Sequence, residues 1–103
     1  MIVQFRNEHL EALYKGESKG KPKFSPDVIV KFKKTVSILK NVKSSAELKL
    51  FRSLNFERLK ISKNSKYYSV RVDIEYRLIF ELHDDKIQLT EILTIEKLTN
   101  HYQ

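Results

Sequence analysis

Tyr68-Ser69-Val70-Arg71-Val72-Asp73-Ile74-Glu75-Tyr76-Arg77-Leu78-Ile79-Phe80 is the stretch on which the fold turns. Tyr68, Val70 and Val72 alternate with Ser69, Arg71 and Asp73, and Tyr76, Leu78 and Phe80 alternate with Arg77 and Ile79. A period of two marks strands that bury one face. For both strands to bury the same face, facing residues must have position numbers with an even sum, so the tight turn holds an odd number of residues. The residues from Asp73 to Glu75 satisfy this, with Val72 opposite Tyr76. Arg71 then stands beside Arg77 on the other, polar face.

Downstream, Leu82 continues the alternation with Glu81 and His83, Asp84-Asp85 reads as a turn, and Ile87, Leu89, Leu93 and Ile95 read as a last strand. Upstream, Phe56 to Ile61 reads as a weaker strand, because Phe56 and Leu59 differ in parity and imply a bulge. Ser44-Ser45-Ala46-Glu47 has the form of a capping box introducing a short turn that carries Leu48 and Phe51. Ile29, Phe32, Val36 and Leu39 gather on one stripe of a helix that Ser25 caps, Pro26 opens and Asp27 suits electrostatically. A shorter helix carries Leu10, Leu13 and Tyr14 between Asn7, a cap, and Gly16, a stop. Glycine and proline number two each, and three of the four (Gly16, Gly20 and Pro22) lie from Gly16 to Lys23, so this is the one clear loop. Met1 to Arg6 reads as a first strand and lacks the basic-then-apolar pattern of a secretory signal. The expected fold is α+β over a single domain, residues 1–103, with two N-terminal helices packed on one face of a small, mainly antiparallel sheet.

The net charge of +7 points to a polyanionic partner, and nucleic acid comes first, since no basic amphipathic helix with aromatic anchors argues for a membrane. The absence of cysteine removes disulfides, thiolate zinc sites and cysteine nucleophiles, and fits a cytoplasmic location. No apolar run approaches the ~18 residues of a membrane helix. His9, His83 and His101 have no ligand-like spacing, so neither a metal nor a cofactor is expected. No phosphate-cradling glycine loop and no Gly-x-Ser-x-Gly elbow is present. Metal-free cleavage of RNA remains open. There the 2′-hydroxyl is the nucleophile, and the protein removes its proton, stabilises charge on phosphorus oxygens and protonates the leaving 5′-oxygen. Lysine, arginine, histidine and tyrosine suffice for this work, and the second half of the chain holds Arg58, Lys60, Arg71, Arg77, His101 and Tyr102.

Three stretches resemble the HigB-like toxins of the RelE/ParE superfamily. Phe51-Arg52-Ser53-Leu54-Asn55-Phe56-Glu57-Arg58-Leu59-Lys60 resembles the family segment ending in Leu-Lys-Gly. The Tyr68 to Phe80 hairpin is similar to the family's "Ser-Ile-Arg-Val-Asn, two residues, Trp/Tyr-Arg-Ile" pattern, and Thr99-Asn100-His101-Tyr102 to the Asn-His-Tyr ending of one subgroup. The resemblance implies a RelE-like fold and the toxin of a type II toxin–antitoxin system. Such a toxin is a ribosome-dependent mRNA endoribonuclease, inhibited by a cognate antitoxin, often a helix-turn-helix HigA-like protein through which alone operator DNA is bound. Carried over by position, Lys60 is the candidate base or phosphate clamp, Arg77 the transition-state stabiliser, His101 the acid, and Tyr102 a stacking or relay group. Arg52, Arg58, Arg71 and Asn100 are the expected RNA contacts.

The chain departs from the pattern in three places. Glu57 stands where relatives carry a histidine, and Ile61 replaces the glycine after the lysine. The family's Asp-Tyr-His ending aligns without a gap to Thr94-Ile95-Glu96, so its role reaches Asn100-His101-Tyr102 only through an insertion. The superfamily also holds ParE-like gyrase inhibitors. A toxin acting by protein binding, or a simple RNA- or ribosome-binding module, are the alternatives.

Overall fold

The computed structural model describes residues 1–21, 23–61 and 65–101. In chain order the elements are β1 (Ile2–Phe5), α1 (Glu8–Lys15), α2 (Pro26–Asn41), two 3₁₀ turns (Ser45–Leu50 and Arg52–Leu54), β2 (Glu57–Arg58), β3 (Tyr67–Arg71), β4 (Arg77–Asp85) and β5 (Thr90–Thr99).

The helices begin and end where capping chemistry dictates. Asn7 Oδ1 accepts the Leu10 N–H at 3.1 Å, and Gly16 ends α1 at φ 74°, a left-handed conformation that glycine adopts at little cost. Ser25 Oγ accepts the Val28 N–H at 3.3 Å and Pro26 opens α2. Phe32, Val36 and Leu39 are fully buried on α2, and Val28 and Thr35 widen the stripe. The Thr35 hydroxyl donates to Lys31 O at 2.8 Å, so its burial leaves no donor unpaired.

The sheet has five strands in the order β1-β5-β4-β3-β2. β1 runs parallel to β5, with Ile2 opposite Ile92, and every other pairing is antiparallel. Leu10, Leu13, Phe32, Val36 and Leu39 of the helices share one core with Val70, Leu78, Phe80, Leu93 and Ile95 of the sheet. Each such side chain contributes roughly 1.5–3 kcal/mol by leaving water. Buried residues of both helices and of the Val70, Leu78 and Phe80 face of the sheet thus belong to one core.

The β3–β4 hairpin has the expected register. Val70 faces Leu78, Arg71 faces Arg77, and the Val72 N–H donates to Tyr76 O at 2.9 Å. Asp73 Oδ1 closes the turn by accepting from Glu75 N at 2.9 Å and Tyr76 N at 2.7 Å.

Several local expectations are corrected. Asp84 and Asp85 belong to β4, facing Glu91 and Thr90, and the turn lies one step later. Asp85 Oδ1 accepts the Ile87 and Gln88 N–H groups there, which leaves Ile87 94% and Leu89 90% exposed in the turn instead of in a strand. The need of turn amides for an acceptor outweighs apolar alternation. The capping box at Ser44 does not form. Glu47 accepts the Lys43 N–H at 3.2 Å, but Ser44 contributes no side-chain cap. A longer connection holds this turn instead, as Ser45 N and Oγ donate to the Glu91 carboxylate at 2.7 and 2.6 Å.

On β5, Ile79 faces Lys97 but Phe80 faces Ile95, so Glu96 is an extra, bulged residue. The bulge reverses side-chain parity. Leu98 joins Leu93 and Ile95 in the core, while Lys97 emerges on the face away from the helices.

Candidate active site

On the face away from the helices, backbone register sets side chains in rows across the strands. Arg71, Arg77 and Thr99 form one row, and Glu57, Ser69, Ile79 and Lys97 form the next. The sequence predicts a solvent-facing surface here, but its centre is closed: Ser69, Arg77 and Ile79 are all buried.

Arg77 is 3% exposed and extensively bonded. Its Nε donates to Ser69 Oγ at 2.9 Å, and its Nη2 donates to Asn55 O at 2.6 Å and to Ser69 O at 3.4 Å. A buried guanidinium is tolerated only with partners of this kind. Asn55 reaches it because the chain turns there with φ 45°, a left-handed conformation in which asparagine is one of the few tolerated residues. Asn55 Nδ2 also donates to Glu57 Oε1 at 3.1 Å, and Glu57 Oε2 lies 4.0 Å from Arg77 Nη2. That separation is a long ion pair, not a hydrogen bond. The Glu57 side chain remains 54% exposed. A carboxylate is thus held beside a buried cation while open to solvent.

The other expected site residues divide between this centre and its surroundings. Arg71 is exposed and directly opposite Arg77. His101 is exposed two residues past Thr99, whose Oγ1 accepts the His101 N–H at 2.9 Å, and Asn100 is exposed between them. Register therefore brings Arg71, Arg77, Thr99 and the start of the tail to one end of the sheet. Thr94 and Ile95 are buried inside β5, so a family ending aligned to Thr94-Ile95-Glu96 would fall in mid-strand, whereas His101 stands at the strand's end. Tyr102 lies outside the described residues.

Lys60 is exposed two residues beyond β2. The Leu59 N–H donates to Tyr67 O at 2.8 Å, extending the β2–β3 ladder one residue, and strand alternation gives Lys60 the parity opposite to that of Glu57. Arg58 shares the parity of its partner Tyr68, on the other sheet face, and its Nε donates to Ser65 O at 3.0 Å. Arg52 is exposed on the second 3₁₀ turn. Arg77 and Arg71 are therefore together, and Lys60, Arg58 and Arg52 lie around the β2 edge.

Two residues were missed in the sequence. Glu57 stood out only as a departure from a family pattern, and Lys97 was hidden by the Glu96 bulge. Leu98, apolar at the wrong parity after Leu93 and Ile95, was the available sign of that bulge. Farther along the same face the surface is mixed in charge. Arg6 pairs with Glu96 and, at 3.8 Å, with Glu81, and Glu81 lies 3.3 Å from His83 Nδ1. Among the described residues no three His, Cys, Asp or Glu side chains are grouped to hold a metal ion, and no helix is long and apolar enough to cross a membrane.

Comparison with known proteins agrees with this architecture. Residues 3–92 match the family described as the RelE-like toxin of type II toxin–antitoxin system HigB. A YoeB/ParE toxin from Agrobacterium tumefaciens superposes with a TM-score of 0.60 at 14% identity, covering 99% of this chain and 100% of the other. YoeB from Staphylococcus aureus, solved as a dimer and in complex with YefM, gives 0.54 at 20% identity over 99% of this chain and 98% of the other. No curated protein matches at a significant level by sequence. At these identities the superpositions show the shared fold. The family match covers most of the chain, and the chain belongs to the HigB-like toxins of type II toxin–antitoxin systems.

Proposed function

We propose that this toxin is a ribosome-dependent mRNA endoribonuclease that works without a metal and leaves a 2′,3′-cyclic phosphate. The observation that carries this reading is the solvent-open Glu57 carboxylate beside the buried Arg77 guanidinium, with Arg71 and His101 exposed at the same end of the sheet and Lys97 exposed at the β5 end of the Glu57 row. Glu57 takes the proton of the 2′-hydroxyl, whose oxygen attacks phosphorus, and the bond from phosphorus to the 5′-oxygen breaks. His101 supplies the proton that this oxygen needs. Arg71 and Lys97 meet the phosphate from solvent, and Lys60 clamps a neighbouring phosphate from the β2 edge. Arg77 contributes its charge at close range while fixing Asn55 and Ser69, and Tyr102 retains its expected part in stacking or proton relay.

The HigB-like family and the YefM-bound neighbour support a cognate antitoxin, here a HigA-like helix-turn-helix protein that alone carries the complex to operator DNA. The site of action is the cytoplasm, where ribosomes present mRNA. The test is to add the purified toxin to ribosomes programmed with a defined mRNA and map the new ends. Cyclic-phosphate ends that disappear with Glu57→Gln support the proposal. Intact mRNA alongside inhibited gyrase supercoiling would replace it with the ParE-like reading.

A further inference from the structure

Two neighbouring grooves run along the 3₁₀ turns away from Asn55. The nearer, about 260 Å³, is lined by Lys49, Phe51, Arg52, Asn55 and Phe56. The farther, about 400 Å³, shares Lys49 and Phe56 and adds Ser45, Arg58 and Tyr68. Neither lining includes a carboxylate. The floor is rigid: the near-parallel rings of Phe56, Tyr68 and Phe80 lie with centroids 5.3, 6.2 and 6.4 Å apart, tying Phe56 to the core. Phe51, by contrast, is 40% exposed beside exposed Arg52 and Lys49. Past Ser45 the character changes, for the next cavity along is lined by Asp84 and Glu91 as well as Lys66.

Cations alternating with aromatic faces make a groove suited to single-stranded nucleic acid, in which phosphates meet the charges and unpaired bases stack on the rings. The near end begins at Asn55, whose carbonyl bonds Arg77 and whose amide bonds Glu57. The far end is closed to a polyanion by Asp84 and Glu91. We infer that this groove holds the mRNA segment flanking the cleaved position, with phosphates on Lys49 and Arg52 and an unpaired base on Phe51. The inference rests on the RNA-cleaving reading and adds to it a binding path outside the catalytic row.

Binding of the intact toxin to a fluorescent single-stranded 2′-O-methyl RNA, which lacks the attacking hydroxyl, separates this path from the chemistry. Lys49→Glu is expected to weaken binding about tenfold and to make it less salt-dependent, by about 0.7 in the logarithmic slope per lost phosphate contact. Phe51→Ala should cost about tenfold with the salt dependence unchanged. Lys15→Glu, the same charge change on α1, should have little effect. Equal weakening by Lys49→Glu and Lys15→Glu, or none by either, overturns the path. A photo-crosslinker at position 49 in the ribosome complex should label mRNA, and labelling only of ribosomal RNA or of protein overturns it as well. Binding at the groove by a wild-type toxin that never cleaves would instead defeat the nuclease reading and leave the path standing.

Discussion

Arg71 and Arg77 face each other directly across the β3–β4 ladder, yet Arg71 is exposed and Arg77 is buried. Like charges in facing positions repel, so the pair persists only because the two guanidinium groups live in different media. Ser69 and Asn55 replace water around Arg77, and Glu57 offsets its charge. Arg71 keeps its solvent.

The first prediction follows from that division of labour. The sequence alone places Arg77 on a polar face beside Arg71. With Arg77 bonded to Ser69 and Asn55, its removal should cost about 3 kcal/mol. Arg71→Ala should change stability by less than about 0.5 kcal/mol. Urea denaturation of both variants decides the matter, and equal stability would contradict the buried network.

Glu57 carries the second. Its side chain is half exposed, so Glu57→Gln should unfold like the wild type. If it is the base, cleavage should fall about a hundredfold or more. Lys60→Ala should act mainly by raising KM, as expected of a clamp. A Glu57→Gln toxin that still arrests growth, beside a Lys60→Ala toxin that does not, would return the base to Lys60.

A third concerns the connection between Ser45 and Glu91. Two hydrogen bonds to one carboxylate span 46 residues of chain and fix the first 3₁₀ turn against β5. Glu91→Ala should lower stability by about 2 kcal/mol. Hydrogen exchange should accelerate at the Ser45 amide more than in α2. Uniform acceleration across the chain would show that the bond contributes only to global stability.

The fourth is kinetic. A toxin of net charge +7 should meet an antitoxin that is acidic over its contacting region, and steering between them weakens as salt rises. Association measured by stopped flow should slow as ionic strength increases. A rate indifferent to salt would mean that the encounter is not electrostatically guided.

Much of the scaffold was legible because its signals are local. Asn7, Gly16, Ser25 and Pro26 act within one helical turn, and the hairpin register follows from parity over a few residues. The site was less legible because its bonds are not local. Arg77 is buried by Asn55, 22 residues away in sequence, and Lys97 depends on a bulge whose one sign is the parity of Leu98. At Ile87 and Leu89 residue type pointed away from the turn that Asp85 imposes.

The parallel pairing of β1 with β5 bears on the order in which the sheet can close. Ile2 pairs with Ile92, so every other element of the fold lies in sequence between β1 and its partner strand. β5 also supplies Leu93, Ile95 and Leu98 to the core, and it completes the Arg71–Arg77 row with Thr99 and the next row with Lys97. Contacts so distant in sequence form slowly, because the loop they close must be ordered first. Closure of β1 onto β5, and with it completion of both rows on the open face, is therefore expected late in folding.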